Sequence, residues 1–284
     1  MRIPRIRDCG ELLQFDEVRR RLHVGMPQAE GEATIAVADI VGTVGRAGDF
    51  DGCFRPREPH LAARIQQIAQ AHPEGLNEPI DVIRVDRAYF VLDGHKRVSM
   101  AHADGREFID ARVSGAPSHY ELTPGVAPEA IELTGLEERL RESTGLMQAV
   151  PSARFVMSEP EGYAELQEAV EAYGFELSHR LGRLLPREEA AALWYECVYR
   201  TTIQAADRAG IPGLLRCATE ADLFMSLHRQ SRGLWGRECS VAQDEADHLV
   251  TKILHGAEAD ASVISRLVQR ARRRRVPEVL PQRA

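Results

Sequence analysis

Apolar positions recur along this chain with two different periods, and the change between them divides it. Near the N-terminus Leu12, Leu13, Phe15, Val18 and Leu22 recur beside Glu17, Arg19, Arg20 and Arg21, which predicts a helix over residues 9–23. Residues 28–32 are polar with a glycine and read as a linker. Short β-prone runs follow at 34–40, 79–85, 88–92 and 108–113, and each predicts a strand. Between the first two lie a loop over 41–51, punctuated by Gly42, Gly45 and Gly48, and a helix over 58–72 with Leu61, Ile65 and Ile68 on one face. Asp86-Arg87 reads as a turn. Asp93-Gly94 breaks the strand before it, and a helix running through Val98 to His102 stops at Gly105.

Beyond residue 113 the pattern turns helical. Residues 114–135 carry Gly115, Pro117, Pro124, Gly125 and Pro128 and read as a connection. A short amphipathic helix is predicted over 136–146, and helical spacing dominates from about residue 160. The clearest element is 187–209, where Ala190, Leu193, Trp194, Cys197, Val198 and Thr201 share a face, with Pro186 ahead of it and Gly210 closing it. Further helices are predicted over 221–230 and 241–254. The fold class expected is α+β, a small mixed α/β domain followed by an all-α domain. The boundaries are 1–32 for an N-terminal helix and linker, 33–115 for the α/β domain, 116–150 for a connection, 151–265 for the helical domain and 266–284 for a basic tail.

Charge alters this picture at one end. The 284 residues carry a formal net charge of −7, which argues against a general nucleic-acid coat. Arg266, Arg270 and Arg272 to Arg275 crowd near the C-terminus and offer a sequence-independent contact to DNA phosphates; a solvated helix end is the ordinary alternative. No run approaches the roughly 18 apolar residues of a membrane span, and no signal-peptide core is visible, so no membrane partner is expected. Cys9, Cys53, Cys197, Cys217 and Cys239 show no ligand spacing. Free thiols in a reducing cytoplasm are expected, and no metal site.

The chemistry concentrates in Asp93-Gly94-His95-Lys96-Arg97, between a strand and a helix. A phosphate site needs open backbone N–H groups, a helix N-terminus aimed at the anion, and fixed cations. Gly94 permits a tight bend, Lys96 supplies a point charge, and Arg97 a fork that matches phosphate oxygens. Cations are disfavoured at a helix N-terminus unless an anion is expected there. The glycine-rich loop is a candidate second wall, with Arg46 toward a second phosphate and Asp49 or Asp51 as a Mg²⁺ ligand or catalytic base. Asx turns are the plainer reading of those aspartates.

Leu92-Asp93-Gly94-His95-Lys96-Arg97-Val98, after two strands and before a helix, resembles the signature turn of the ParB/sulfiredoxin superfamily over about residues 33–115. Gly94 and Arg97 match throughout that superfamily, and Asp93 and His95 match its free-serine kinases. The resemblance implies a ParB-like fold and a bound nucleotide, CTP or ATP with Mg²⁺. His95 stands where sulfiredoxins carry their cysteine, so sulfinic-acid reduction lacks its nucleophile. The opening Asp39 to Asp51 departs from the Pro- and Arg-rich first box of ParB and is similar to an uncharacterised ParB-like group with a helical C-terminal half.

Two functions therefore compete, beside the blander reading of a scaffold whose site has lost its ligand. One is a nucleotide-binding regulatory or partition-like protein, whose helical half meets a protein partner. The other is a small-molecule kinase or nucleotidase. Ala205 to Ile211 resembles the first half of a helix-turn-helix, but Pro212-Gly213 spoils the second. Trp194, Tyr195 and Tyr199 read as core residues.

Overall fold

Strands β4 (Ile80–Val85) and β5 (Ala88–Asp93) are apolar at most positions because both faces of their sheet are covered. The computed structural model, which describes residues 10–71, 78–209, 219–229 and 279–282, places them at the centre of six strands. The others are β1 (Leu13–Gln14), β2 (Gln28–Ala36), β3 (Ile40–Thr43) and β6 (Phe108–Ala116). The order is β1-β3-β5-β4-β6-β2. The pairs β1/β3, β3/β5 and β4/β6 are parallel, whereas β4/β5 and β2/β6 are antiparallel.

Helices α1 (Phe15–Arg21), α2 (Pro59–Ala71) and α3 (His95–Ala103) complete this unit. On one sheet face Ile80, Val82, Val91 and Val113 pack against Ile65 of α2 and Val98 and Ala101 of α3. On the other, Ile83, Val85 and Phe90 meet Phe15 and Val18 of α1 and Leu22 just after it, together with Tyr120 and Leu122. At β3 the backbones come too close for a side chain: a Cβ on Gly42 would strike the Leu13 carbonyl and the Phe90 ring.

The chain divides into two compact units, one running to Ile131 and taking up the chain again at Leu280, the other spanning Glu132 to Val279. In the second are most of α4 (Pro128–Thr144), then α5 (Leu146–Ala149), α6 (Glu161–Leu181), α7 (Arg187–Trp194), α8 (Thr201–Arg208) and α9 (Glu220–His228). Its core gathers Phe155, Leu166, Tyr173, Trp194, Tyr199 and Phe224. The architecture is α+β, as the periodicity predicts.

Several sequence expectations are corrected. Residues 28–32 are no linker but the start of β2, which is exposed through most of its length at the sheet edge. Charged Glu30 and Glu32 protect such an edge, and the same charges mask its strand character. The loop expected from 41 begins as strand β3, since Ile40, Gly42 and Thr43 are buried between neighbours. The connection over 114–135 is part strand to Ala116 and part helix from Pro128. The helix over 187–209 contains a π-helical stretch at Tyr195–Arg200. There the Thr201 hydroxyl donates to the carbonyls of Cys197 (2.6 Å) and Val198 (3.0 Å), competing with the regular ladder.

At the other end of the chain, Leu280 is buried in the first unit and Glu121 N–H donates to the Pro281 carbonyl at 2.9 Å. The piece at 280–282 is therefore not tail. The arginine run 266–275 and the helix predicted over 241–254 lie outside the described residues, as do Gly210 and Ile211 of the helix-turn-helix segment. Cys53 and Cys197 are each disulfide-bonded, against the expectation of free thiols. Spacing along a sequence reports only local cysteine pairs. Among the described residues no helix is long and apolar enough to cross a membrane.

Candidate functional site

The turn after β5 is fixed by its glycine. Gly94 sits at φ 97°, and a Cβ there would lie 2.5 Å from Ile80 Cγ2. Both facts select glycine. No side chain caps the α3 N-terminus, and no acidic residue occupies its first turn. Its opening N–H groups therefore have no side-chain cap.

The charged residues of the turn split by direction. Arg97 was expected to fork a phosphate, but its guanidinium is already used by the protein. One terminal nitrogen donates to the carbonyls of Glu78 (2.9 Å) and Pro79 (2.7 Å), the other to Asp93 Oδ2 (3.0 Å). Its side chain is only 16% exposed. Arg97 and Asp93 thus brace the turn against the entry of β4, because a buried guanidinium must satisfy its donors locally.

His95 was expected among the cations, and it is neutral. It is buried, its ring stacks on Phe50, and its Nε2 lies 2.5 Å from Thr43 Oγ1. The Thr43 hydroxyl in turn reaches the Val91 carbonyl at 3.3 Å. Both contacts are satisfied when Nε2–H donates to Thr43 and Thr43 donates onward to Val91. Burial, helped by the Arg46 charge, pushes the imidazole pKa down to about 4, outweighing the pull of Asp93 and Asp49. Thr43 was missed in the sequence. Its only signal was a hydroxyl at the end of the apolar run Ile40–Thr43.

Lys96 is the remaining cation of the turn. It has no carboxylate partner among the described residues. Burial and then the charges of Arg64 and Arg46 hold its pKa below the usual lysine value. Arg64, on the polar side of α2, was also missed, because nothing along the chain relates it to Lys96. Arg46 donates to Asp49 Oδ2 at 3.0 Å, with both side chains close to half exposed. Asp51 closes an Asx turn: its Oδ1 accepts the N–H of Cys53 and of Arg55, both at 2.9 Å. The structure therefore gathers Lys96, Arg46 and Arg64 about the start of α3 and commits Arg97 and Asp51 to the frame. Chemically the arrangement concentrates positive potential at a helix N-terminus. Among the described residues no group of three or more His, Cys, Asp or Glu forms a metal cluster.

No family model and no curated protein matches the sequence.

Proposed function

We propose that this protein binds the phosphates of a nucleotide at the Gly94 turn and serves as a ParB-like regulatory or partition-like protein. The observation that carries the reading is Lys96: a partly buried cation, crowded by two arginines, at a helix start that no side chain caps and whose nearby carboxylates, Asp93 and Asp49, are paired with Arg97 and Arg46. Such an arrangement is self-repelling until an anion binds. The N–H groups of α3 would meet one phosphate, and Lys96, Arg46 and Arg64 the neighbouring charge, with Mg²⁺ arriving on the nucleotide (CTP or ATP). The resemblance of the turn to that of the ParB/sulfiredoxin superfamily supports this reading. DNA contact through the arginine run and a protein partner on the helical unit belong to the same proposal, whereas the two disulfide-bonded cysteines speak against the reducing cytoplasm expected from the sequence.

The enzymatic reading, a small-molecule kinase or nucleotidase, needs a free carboxylate as base. Asp51 holds two backbone N–H groups and Asp49 holds Arg46, which favours binding over turnover. A thermal-shift series with CTP, ATP, ADP and GTP in Mg²⁺ tests the proposal. At least one nucleotide should raise Tm by linkage, and Lys96→Ala should weaken that nucleotide's affinity about tenfold or more. No response to any nucleotide would overturn the reading. Phosphate release from the nucleotide, or its transfer to an added hydroxy compound, would favour the enzyme.

A further inference from the structure

The far end of α3 carries an unrelated cavity. A cleft of about 500 Å³ opens where the helix ends, bounded by Leu13, Val37, Ile40 and Val126 as apolar wall. Its polar groups are Glu11, Asp39 and His102. The His102 ring lies flat on Phe54, 6.0 Å between centroids and 12° between planes. The size and the mostly apolar lining with few polar groups are those of a small-molecule pocket.

Electrostatics set the ligand class. Two carboxylates line the cleft, and among the described residues no lysine or arginine does. Asp39 belongs to a one-turn helix, Val37–Asp39, that precedes β3. Glu11 is held loosely by Arg57 at 3.6 Å and stays 85% exposed. The C-terminal end of α3 adds the negative pole of its dipole. One nine-residue helix thus presents cations at its start and carboxylates at its finish, about 13 Å apart at 1.5 Å per residue. A phosphate would be repelled at this second end.

We propose that the cleft is a second ligand site, taking a small organic cation: an apolar ring-bearing body seated between Leu13, Val37 and Val126, with an ammonium directed to Asp39 and Glu11. The site is separate from the Gly94 turn and does not depend on what binds there.

Calorimetric titration of the full chain with three indoles of one shape tests this. Tryptamine is the cation, tryptophol the neutral and indole-3-acetate the anion. Tryptamine should bind saturably and at least tenfold more tightly than tryptophol, and indole-3-acetate should give no saturable heat. Asp39→Asn should bring tryptamine close to tryptophol. Ala38→Trp, which fills the cleft from an exposed position on its rim, should abolish binding of both, while circular dichroism and the urea-unfolding midpoint stay as in the parent. No saturable tryptamine binding, equal affinity for the cation and the neutral compound, or tryptamine binding that survives Ala38→Trp would each overturn the proposal.

Discussion

In the helical unit the buried carboxylate of Glu137 accepts Nε and a terminal nitrogen of Arg154 at 2.8 and 2.6 Å, and the Phe155 N–H at 2.8 Å. At the turn of the sheet unit, Lys96 sits among other cations with no acceptor among the described residues. Both regions hold charge partly out of water. In the first, the protein supplies every partner itself, so the charge serves the fold. In the second, the frame around the charge is satisfied by the protein while Lys96 has no acceptor among the described residues, and the proposed phosphate site rests on that difference. The same division runs through the turn: His95 and Arg97 are bonded to the protein, and Lys96 has no acceptor among the described residues.

The sharpest way to break the comparison is to remove the self-sufficient carboxylate. Glu137→Ala leaves Arg154 and the Phe155 N–H without their acceptor in a site where Glu137 is 2% exposed. A loss of about 4 kcal/mol is expected in urea unfolding. Nucleotide affinity of the folded fraction should not change. Were affinity to fall with stability intact, Glu137 would belong to a site and the contrast would be wrong.

Gly94→Ala comes next. It forces a side chain into the left-handed region at φ 97° and against Ile80. About 3 kcal/mol should be lost, read by the same unfolding curve. Any nucleotide response should be lost with it, because the strand-to-helix geometry that aims the N–H groups is what the substitution distorts.

Protonation gives the third test. The folded pKa of His95, about 4, lies below the 6.5 of an unperturbed histidine. Between those values the unfolded chain binds more protons than the native one, so stability is full above pH 6.5 and declines as pH falls through 4. The histidine's share is about 3 kcal/mol. His228, buried in the helical unit with its pKa also near 4, adds to the same window. The difference in slope between the parent and His95→Asn, measured by denaturation from pH 7 to 4.5, isolates the turn. Equal slopes would mean that His95 is not held neutral by the fold.

What was legible in the sequence followed from local physics. Gly94 between an apolar strand and a helix could be read because the bend leaves a one-residue signature. So could the doubly covered strands and the helical half. The division of labour among His95, Lys96 and Arg97 could not, since all three look alike along the chain. Their roles depend on Thr43, Glu78 and Pro79, which reach the turn only through the pairing of β3, β4 and β5. Arg64 enters from another helix. The strand at Gln28 was hidden for the opposite reason: an edge strand needs little apolar surface, and its partner β6 lies some 80 residues on.

The smallest effect on stability is the one that tells most about function. Lys96→Ala removes a side chain with no bonded partner, so unfolding free energy should move by less than about 0.5 kcal/mol. The direction should be toward greater stability, because the loss relieves repulsion with Arg64 and Arg46. Salt offers the control. Raising ionic strength screens that repulsion, so it should stabilise the parent more than the variant, and the two should converge near 1 M salt, where the Debye length is about 3 Å. Polyphosphate at low ionic strength should do the same at far lower concentration, and only for the parent. If Lys96→Ala instead cost 2 kcal/mol or more, the lysine would be part of the frame like Arg97, and the turn would have no cation left to offer.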